Sequence, residues 1–290
     1  MDAGSSVRTL EAPAKSAEQT RQRAIDMKPR SQSETPAREE WLGSQVAASA
    51  EALEAGDGCH ADEAESLAGY LDGRLTAHEA ALAFTKPVLD EAEPAASLYR
   101  PMALLCEALV ELGHDRDKLL RLVAAIQALP PAGPISWAGL PGFGDMWSDL
   151  YRAYADGPSP WETSEGPREA ELCRHFEAVG TVEAELFVRG LGGVPASWGY
   201  KTLSLVCSSR AGLGVLLHAM HPWLAVAGPK LRLELEPDEV CGYGERQAVE
   251  TTMAEHWEAW KRAFLQASQK GAHLTEEARQ LAAECHDLMK

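Results

Sequence analysis

The stretch from Val249 to Phe264 constrains the fold of this chain more than any other. Its large apolar side chains are spaced by three or four residues, which places them on one stripe of a helix: Val249, Met253, Trp257, Trp260 and Phe264. Charged residues occupy the opposite face. Each aromatic ring can bury about 150 to 250 Å², so other helices must cover the stripe. The stretch therefore predicts a helical core.

Helix signals recur along most of the chain. Thr76 and Glu79 have the spacing of a capping box, which predicts the start of a helix. Pro94 suits the first turn of the next helix, Asp115 can cap the one after it, and Thr275 can cap the last. We therefore predict an all-α fold, an irregular multi-helix bundle.

Glycine and proline set the expected breaks in this pattern. Gly180 is a predicted weak point in a long helix. The helix that starts near Leu213 is expected to end at Gly228-Pro229. The residues that follow, 231–236, alternate between apolar and charged side chains. Alternation alone would indicate a strand, but an isolated strand cannot pair its backbone, so we favour a non-strand conformation.

The domain organisation follows from where large apolar residues occur. Residues 1–39 are rich in Ser, Ala, Glu, Arg and Pro and contain few large apolar groups. Burial cannot offset their ordering entropy, so we predict a disordered N-terminal tail. Residues 40–290 are predicted to form a single helical domain.

Charge and cysteine usage narrow the class of protein. The net charge of -17 and the pI near 5.0 disfavour nucleic acid and anionic membrane surfaces as partners, because both repel an acidic protein. The longest apolar run is shorter than the roughly 20 residues of a membrane span. The 6 cysteines are scattered, without a zinc or disulfide pattern. We expect a cytoplasmic acidic protein.

Motifs that could carry chemistry are weak. His218 and His221 lie one helical turn apart, yet lack the glutamate of a zincin motif, so capping or packing histidines are favoured over a metal site. Cys207 is interpreted as a buried thiol rather than a nucleophile. Asp145 and Asp149 suit a solvated helix start better than a magnesium site. We predict no metal and no cofactor, and assign no catalytic residue.

The aromatic residues are the remaining lead. A loop from Pro130 to Gly144 should pack its apolar side chains onto the bundle. The favoured interpretation of the rings is a core built on indoles. The alternative is that they line an apolar pocket between helices. For that alternative the candidate ligand-binding residues are Trp137, Phe143, Trp147, Tyr151, His218, Trp223, Trp257 and Trp260.

Three stretches together resemble a fungal family known only as domain of unknown function three-six-three-two. They are Trp137-x-x-Leu140-Pro141-Gly142-Phe143, Trp223-x-x-x-x-Gly228-x-Lys230-Leu231 and Trp257-x-x-Trp260-Lys261-x-x-Phe264 with the helix after Thr275. The resemblance covers 75–290 and departs at 231–246, which is short. It implies an all-helical fold and no known catalytic residues. Such proteins are sometimes encoded among fungal secondary-metabolite genes.

Three functional hypotheses follow. The leading one is an accessory protein of fungal secondary metabolism that binds an apolar small molecule; if it is an enzyme, it is a cofactor-free cyclase or isomerase that acts by holding a reactive conformer. The second is a non-enzymatic helical module for protein–protein interaction, which predicts an exposed apolar groove or a basic partner. The third is a metal-dependent hydrolase using His218 and His221. Substrate, pathway and oligomeric state are left open.

Overall fold

The computed structural model of the protein describes residues 34–152, 167–208, 212–243, 250–269 and 274–290. These residues form an all-α fold with one small two-stranded sheet. The helices of the first half are α1 (Glu34–Gln45), α2 (Ala50–Glu54), α3 (Ala61–Leu71), α4 (Ala77–Leu89), α5 (Pro94–Ser97), α6 (Tyr99–Glu111), α7 (Arg116–Gln127) and α8 (Phe143–Trp147). A π-helical turn, Ser148–Arg152, directly continues α8.

The second half contains longer helices and the sheet. Its elements are α9 (Pro167–Arg189), α10 (Ala196–Ser208), α11 (Leu213–Glu234), β1 (Val240–Gly242), β2 (Glu250–Thr252), α12 (Met253–Ala267) and α13 (Glu276–Leu288). Helices α9 and α11 share the most extensive contact among the described elements. Helix α11 also packs on α10 and α13, and α6 joins the first half to α9. The buried apolar residues, from Trp41 to Met289, form one hydrophobic core.

Several predicted helix boundaries are confirmed. The Thr76 hydroxyl accepts the Glu79 N–H, and the Glu79 carboxylate accepts the Thr76 N–H at 2.8 Å, so α4 begins with the predicted capping box. Pro94 opens α5. Thr275 caps α13 through the Ala278 N–H. These devices are local in sequence, because each involves residues only a few positions apart.

The long helix predicted around Gly180 is confirmed, and α9 runs through the glycine without interruption. A Cβ added at Gly180 would lie 2.1 Å from the carbonyl oxygen of Ala219 in α11. The glycine therefore allows the backbones of the two central helices to touch. Its role is close packing rather than a change of direction.

The predicted end at Gly228-Pro229 is wrong. Helix α11 continues through Pro222 and Pro229 to Glu234. Pro229 lacks the N–H that would bind the carbonyl of Ala225, an exposed residue, so the helix loses one backbone hydrogen bond at its surface. Burial of Leu231 favours the longer helix, and the Tyr200 hydroxyl donates to the Leu231 carbonyl at 2.8 Å.

In the stretch from Val249 to Phe264, the helix begins later than the spacing of the apolar residues predicted. Glu250–Thr252 is strand β2, which pairs antiparallel with β1, and Val249 lies outside the described residues. Thr252 and Glu255 form a capping box that starts α12 at Met253. The other apolar residues of the stripe are all buried, as predicted: Met253, Trp257, Trp260 and Phe264.

The N-terminal segment predicted to be disordered overlaps a helix. Residues 1–33 lie outside the described residues, whereas α1 starts at Glu34, before the predicted boundary at residue 39. The Arg38 guanidinium forms ion pairs with Asp72 and Asp115. Asp115 stands at the N-cap position of α7 but makes no side-chain cap bond. Its carboxylate binds Arg38 instead, so ion pairs reinforce the attachment of α1, which also buries Trp41 and Leu42 in the core.

Candidate functional site

The rings predicted to bind a ligand lie inside the core. None of them is more than 7% exposed: Trp137, Phe143, Trp147, Tyr151, Trp223, Trp257 and Trp260. His218, the remaining predicted residue, is half-buried on α11. Side chains at this depth contact other side chains on all sides, as in any close-packed interior. The geometry favours the indole-core interpretation over a pocket that is open in this structure.

The rings divide into two clusters. In the first, Phe143 stacks on Trp147 at 5.9 Å between centroids, and Trp147 lies 4.7 Å from Tyr151. The centroid of the Tyr151 ring lies 5.7 Å from that of the His175 ring. This run follows the α8 surface into the π-helical turn, because residues four apart share a helix face.

A buried carboxylate joins the first cluster to α11. Glu183 of α9 is 2% exposed, and one of its oxygens accepts the Trp147 indole N–H at 2.9 Å. Its other oxygen accepts the Trp223 indole N–H at 2.8 Å. Arg152 neutralises the charge through an ion pair of 2.9 Å. Both indole N–H groups and both carboxylate oxygens have partners, so the network fixes the packing of the two indoles.

Sequence reasoning missed this carboxylate. Glu183 lies seven residues after Phe176 and three before Leu186, which puts a charged side chain on the apolar face of α9. A glutamate at such a position is rarely buried without a partner. This spacing could have predicted that Glu183 is buried and paired. It does not identify the groups that donate hydrogen bonds to Glu183.

The second cluster surrounds Trp260 of α12. The His256 ring stacks on Trp260 at 5.5 Å, and Tyr200 lies 6.3 Å from it. Tyr243 contacts Trp260 edge-on at 5.6 Å. The His256 Nε2 atom is 2.9 Å from the Cys241 carbonyl oxygen, which joins β1 to α12. Trp257 and Trp260 are therefore not brought together with the Trp147 cluster.

The weaker candidates are placed apart from one another. His221 Nε2 lies 3.2 Å from a carboxylate oxygen of Glu284 on α13. Among the residues that the structure describes, no three His, Cys, Asp or Glu side chains converge to hold a metal ion. Burial raises the pKa of Cys207 well above its ordinary value, which favours a thiol over a thiolate nucleophile. Burial, followed by the charge of Asp145, raises the pKa of Asp149.

A cleft of about 410 Å³ opens between α3 and α4. The charged side chains on its walls are all exposed, including Asp62, Glu65, Lys86 and Asp90. No aromatic ring lines it, and none of the predicted ligand-binding residues belongs to it. Its polar, open character differs from the apolar pocket that the leading hypothesis requires.

The second half of α11 carries an unusual surface. Val226, Pro229 and Leu233 follow one another at intervals of three and four residues, so they share one helix face, and Ala225 adjoins them. Leu233 is 84% exposed and Val226 37% exposed. The outward face of a helix in a water-soluble bundle normally carries polar residues. We call Ala225, Val226, Pro229 and Leu233 the α11 patch.

Acidic residues gather at one end of the α11 patch. Four of them lie on or just after the last turn of α11: Glu234, Glu236, Asp238 and Glu239. Among the described residues, two cations lie in this region: Arg232 is positioned over the Trp257 ring at 5.8 Å, and Lys230 donates to the Phe187 carbonyl and forms an ion pair with Glu234 at 3.7 Å. The patch therefore combines exposed apolar area with negative charge, the two features that attract a basic amphipathic segment.

Comparisons of the chain with protein-family models, curated proteins and solved structures found no match. The resemblance to the fungal family thus stays a prediction. Within the described ranges, no helix is both long enough and apolar enough to cross a bilayer.

Proposed function

We propose that this protein is a non-enzymatic helical interaction module, and that the α11 patch docks a basic amphipathic helix of a partner protein. The observation that carries the proposal is the exposure of Leu233, 84% of whose surface is accessible, in line with Val226 and Pro229 on one helix face. Contiguous apolar surface of this kind marks interaction sites in soluble proteins.

The chemistry of the partner follows from the charges around the patch. An amphipathic helix would lay its apolar side chains along Val226 and Leu233. Lysine or arginine on its flanks would then face the acidic residues that follow α11. The chain as a whole has a net charge of -17, so long-range attraction also favours a basic partner.

The geometry supports this proposal better than the binding of an apolar small molecule. The rings that would line such a pocket are core residues, and the indole nitrogens of Trp147 and Trp223 are held by Glu183. A ligand would have to displace packed side chains to reach them. The α11 patch needs no rearrangement to be occupied.

A peptide titration of the full-length protein tests the proposal. The probe is a labelled synthetic helix of leucine and lysine, about 18 residues long, with an amphipathic pattern. The comparison peptide carries glutamate in place of lysine. We expect the lysine peptide to bind, measured by fluorescence anisotropy, and to bind less tightly as salt screens the charges.

The matched variants are Val226→Ser with Leu233→Ser for the patch and Leu82→Ser as the control, so that apolar area is removed without adding charge. Leu82 is 49% exposed on α4, outside the patch. Loss of one buried leucine contact costs about 1.5 to 3 kcal/mol, which corresponds to at least about a tenfold weaker Kd. Equal binding of both peptides, or unchanged binding by the patch variant, would contradict the proposal. A homodimer of the parent protein that dissociates only in the patch variant would also contradict the proposal, since a second copy of the chain would then occupy the α11 patch.

A further inference from the structure

A buried carboxyl group lies at the start of α3 without a full set of partners. Glu63 is 0% exposed. One of its oxygens, Oε2, accepts the backbone N–H of His60 at 2.9 Å and so caps the helix. The other oxygen, Oε1, is buried and has no hydrogen-bond partner among the residues that the structure describes. Burying such a carboxyl group costs little free energy while it is neutral, and much more once it is ionised.

A second carboxylate close by is fully engaged. Glu91 accepts hydrogen bonds from the Ser97 hydroxyl, the Arg100 guanidinium and the His60 ring, whose Nε2 atom is 2.8 Å away. The Arg100 Nε–H also donates to the Leu53 carbonyl of α2 at 3.1 Å. The cluster therefore joins α2, the start of α3, the connection after α4, and the helices α5 and α6. We call it the Glu63 junction.

The two carboxyl groups of the junction titrate far apart. Burial, with a contribution from the negative charge of Glu91, raises the pKa of Glu63 to about 7, despite the opposing effects of His60 and Arg100. Burial alone would also raise the pKa of Glu91, but hydrogen bonds from Ser97, His60 and Arg100 lower it to about 2. Near neutral pH Glu91 is ionised, while Glu63 passes between its two states.

The thiol of Cys59, next to Glu63, does not ionise near neutral pH. The neighbouring Cys59 thiol has a pKa of about 12, raised by burial first and then by Glu63 and Glu107. It stays neutral throughout the physiological range. The interactions of Arg100 and His60 with Glu63 favour its ionised form, and the negative charge of Glu91 opposes it.

We propose that Glu63 is a proton-dependent latch: its neutral carboxyl keeps the junction closed, and its ionisation loosens α2 and the connection that carries Glu91. An ionised Glu63 competes with Glu91 and with the Leu53 carbonyl for the Arg100 guanidinium. Helix α2 is the element most easily released, because it is short and buries none of its residues.

Hydrogen–deuterium exchange on the full-length protein tests the latch. The exchange of amides in residues 47–60 and 90–98 is compared at pH 6 and pH 8, after correction for intrinsic rates. At pH 8 a carboxyl with a pKa near 7 is about tenfold more often ionised than neutral. We therefore expect protection in these segments to fall by up to about tenfold, while α9 and α11 keep theirs.

Glu63→Gln is the decisive variant, because its amide has a similar shape and cannot ionise. It should show the same protection at both pH values. Glu65→Gln, an exposed change on the same helix, should behave like the parent. Protection that does not change with pH in the parent, or that still changes in E63Q, would overturn the proposal.

A second measurement uses the parent protein alone, in case E63Q does not fold. With carboxyl-¹³C glutamate incorporated, one resonance should titrate near neutral pH. If every glutamate resonance titrates at its ordinary acidic value, the latch does not exist.

Discussion

Replacing Gly180 by alanine should force the central helices α9 and α11 apart. The added methyl group would lie 2.1 Å from the carbonyl oxygen of Ala219 and 2.8 Å from its carbonyl carbon. Both atoms belong to the backbone of α11, so no side chain can rotate away. The helices must therefore separate by about 1 Å to reach an ordinary contact distance.

The free-energy change is the difference between two opposing terms. Alanine is about 1 kcal/mol better than glycine inside a helix. Against this, a gap of about 1 Å forfeits up to half of each dispersion contact along the interface, and overpacking typically costs about 1 to 3 kcal/mol or more. The separation also stretches the hydrogen bond of 2.8 Å between Trp223 and Glu183. We expect a net destabilisation of about 1 to 3 kcal/mol.

Urea unfolding followed by tryptophan fluorescence measures this change. The midpoint should fall while the slope of the transition stays the same, because the surface exposed on unfolding is unchanged. Gly43→Ala is the matched control. Gly43 lies in α1, and a methyl group added there would have no neighbouring atom within 4 Å, so this variant should gain up to about 1 kcal/mol.

The reasoning fails if Gly180→Ala unfolds at the same urea concentration as the parent, or at a higher one. The helix-propensity term would then exceed the packing term. In that case α9 and α11 have room between their backbones, and the close approach at Gly180 does not hold the core together.

Two further changes test the buried clusters. Glu183→Leu removes the acceptor of the Trp147 and Trp223 indoles and leaves the Arg152 charge unpaired. We expect the free energy of unfolding in urea to fall by about 3 to 5 kcal/mol. A midpoint equal to that of the parent would show that the network is dispensable. Trp257→Ala removes a ring that is 4% exposed, so the free energy of unfolding should fall by about 3 to 5 kcal/mol. An unchanged thermal transition for that variant would place the ring outside the core.

Much of the fold can be predicted from sequence because its signals are local. The capping box of Thr76 and Glu79 involves residues three apart, and the buried face of α12 repeats every three or four residues. Helix ends are predicted less well. Pro229 lies inside α11, beyond the predicted end of that helix, since contacts made by α11 with other helices offset the local cost.

The interaction hypothesis predicts the kind of surface that the α11 patch provides, but the sequence does not show where that surface lies. The interaction hypothesis predicts an exposed apolar groove, yet the alternation around Leu233 is that of a strand, where successive residues face opposite sides. In the helix, Leu233 shares its face with Val226 and Pro229 instead. Which face of α11 stays uncovered depends on where α9, α10 and α13 pack.

The sequence by itself determined that the chain is helical, where several helices begin, and which faces are apolar, because periodicity and capping act within a few residues. Only the tertiary structure decided that Glu183 meets two indoles, that Gly180 touches Ala219, and that Glu63 keeps one oxygen unpaired. These facts depend on surfaces from distant parts of the chain meeting one another, and no local pattern specifies that meeting.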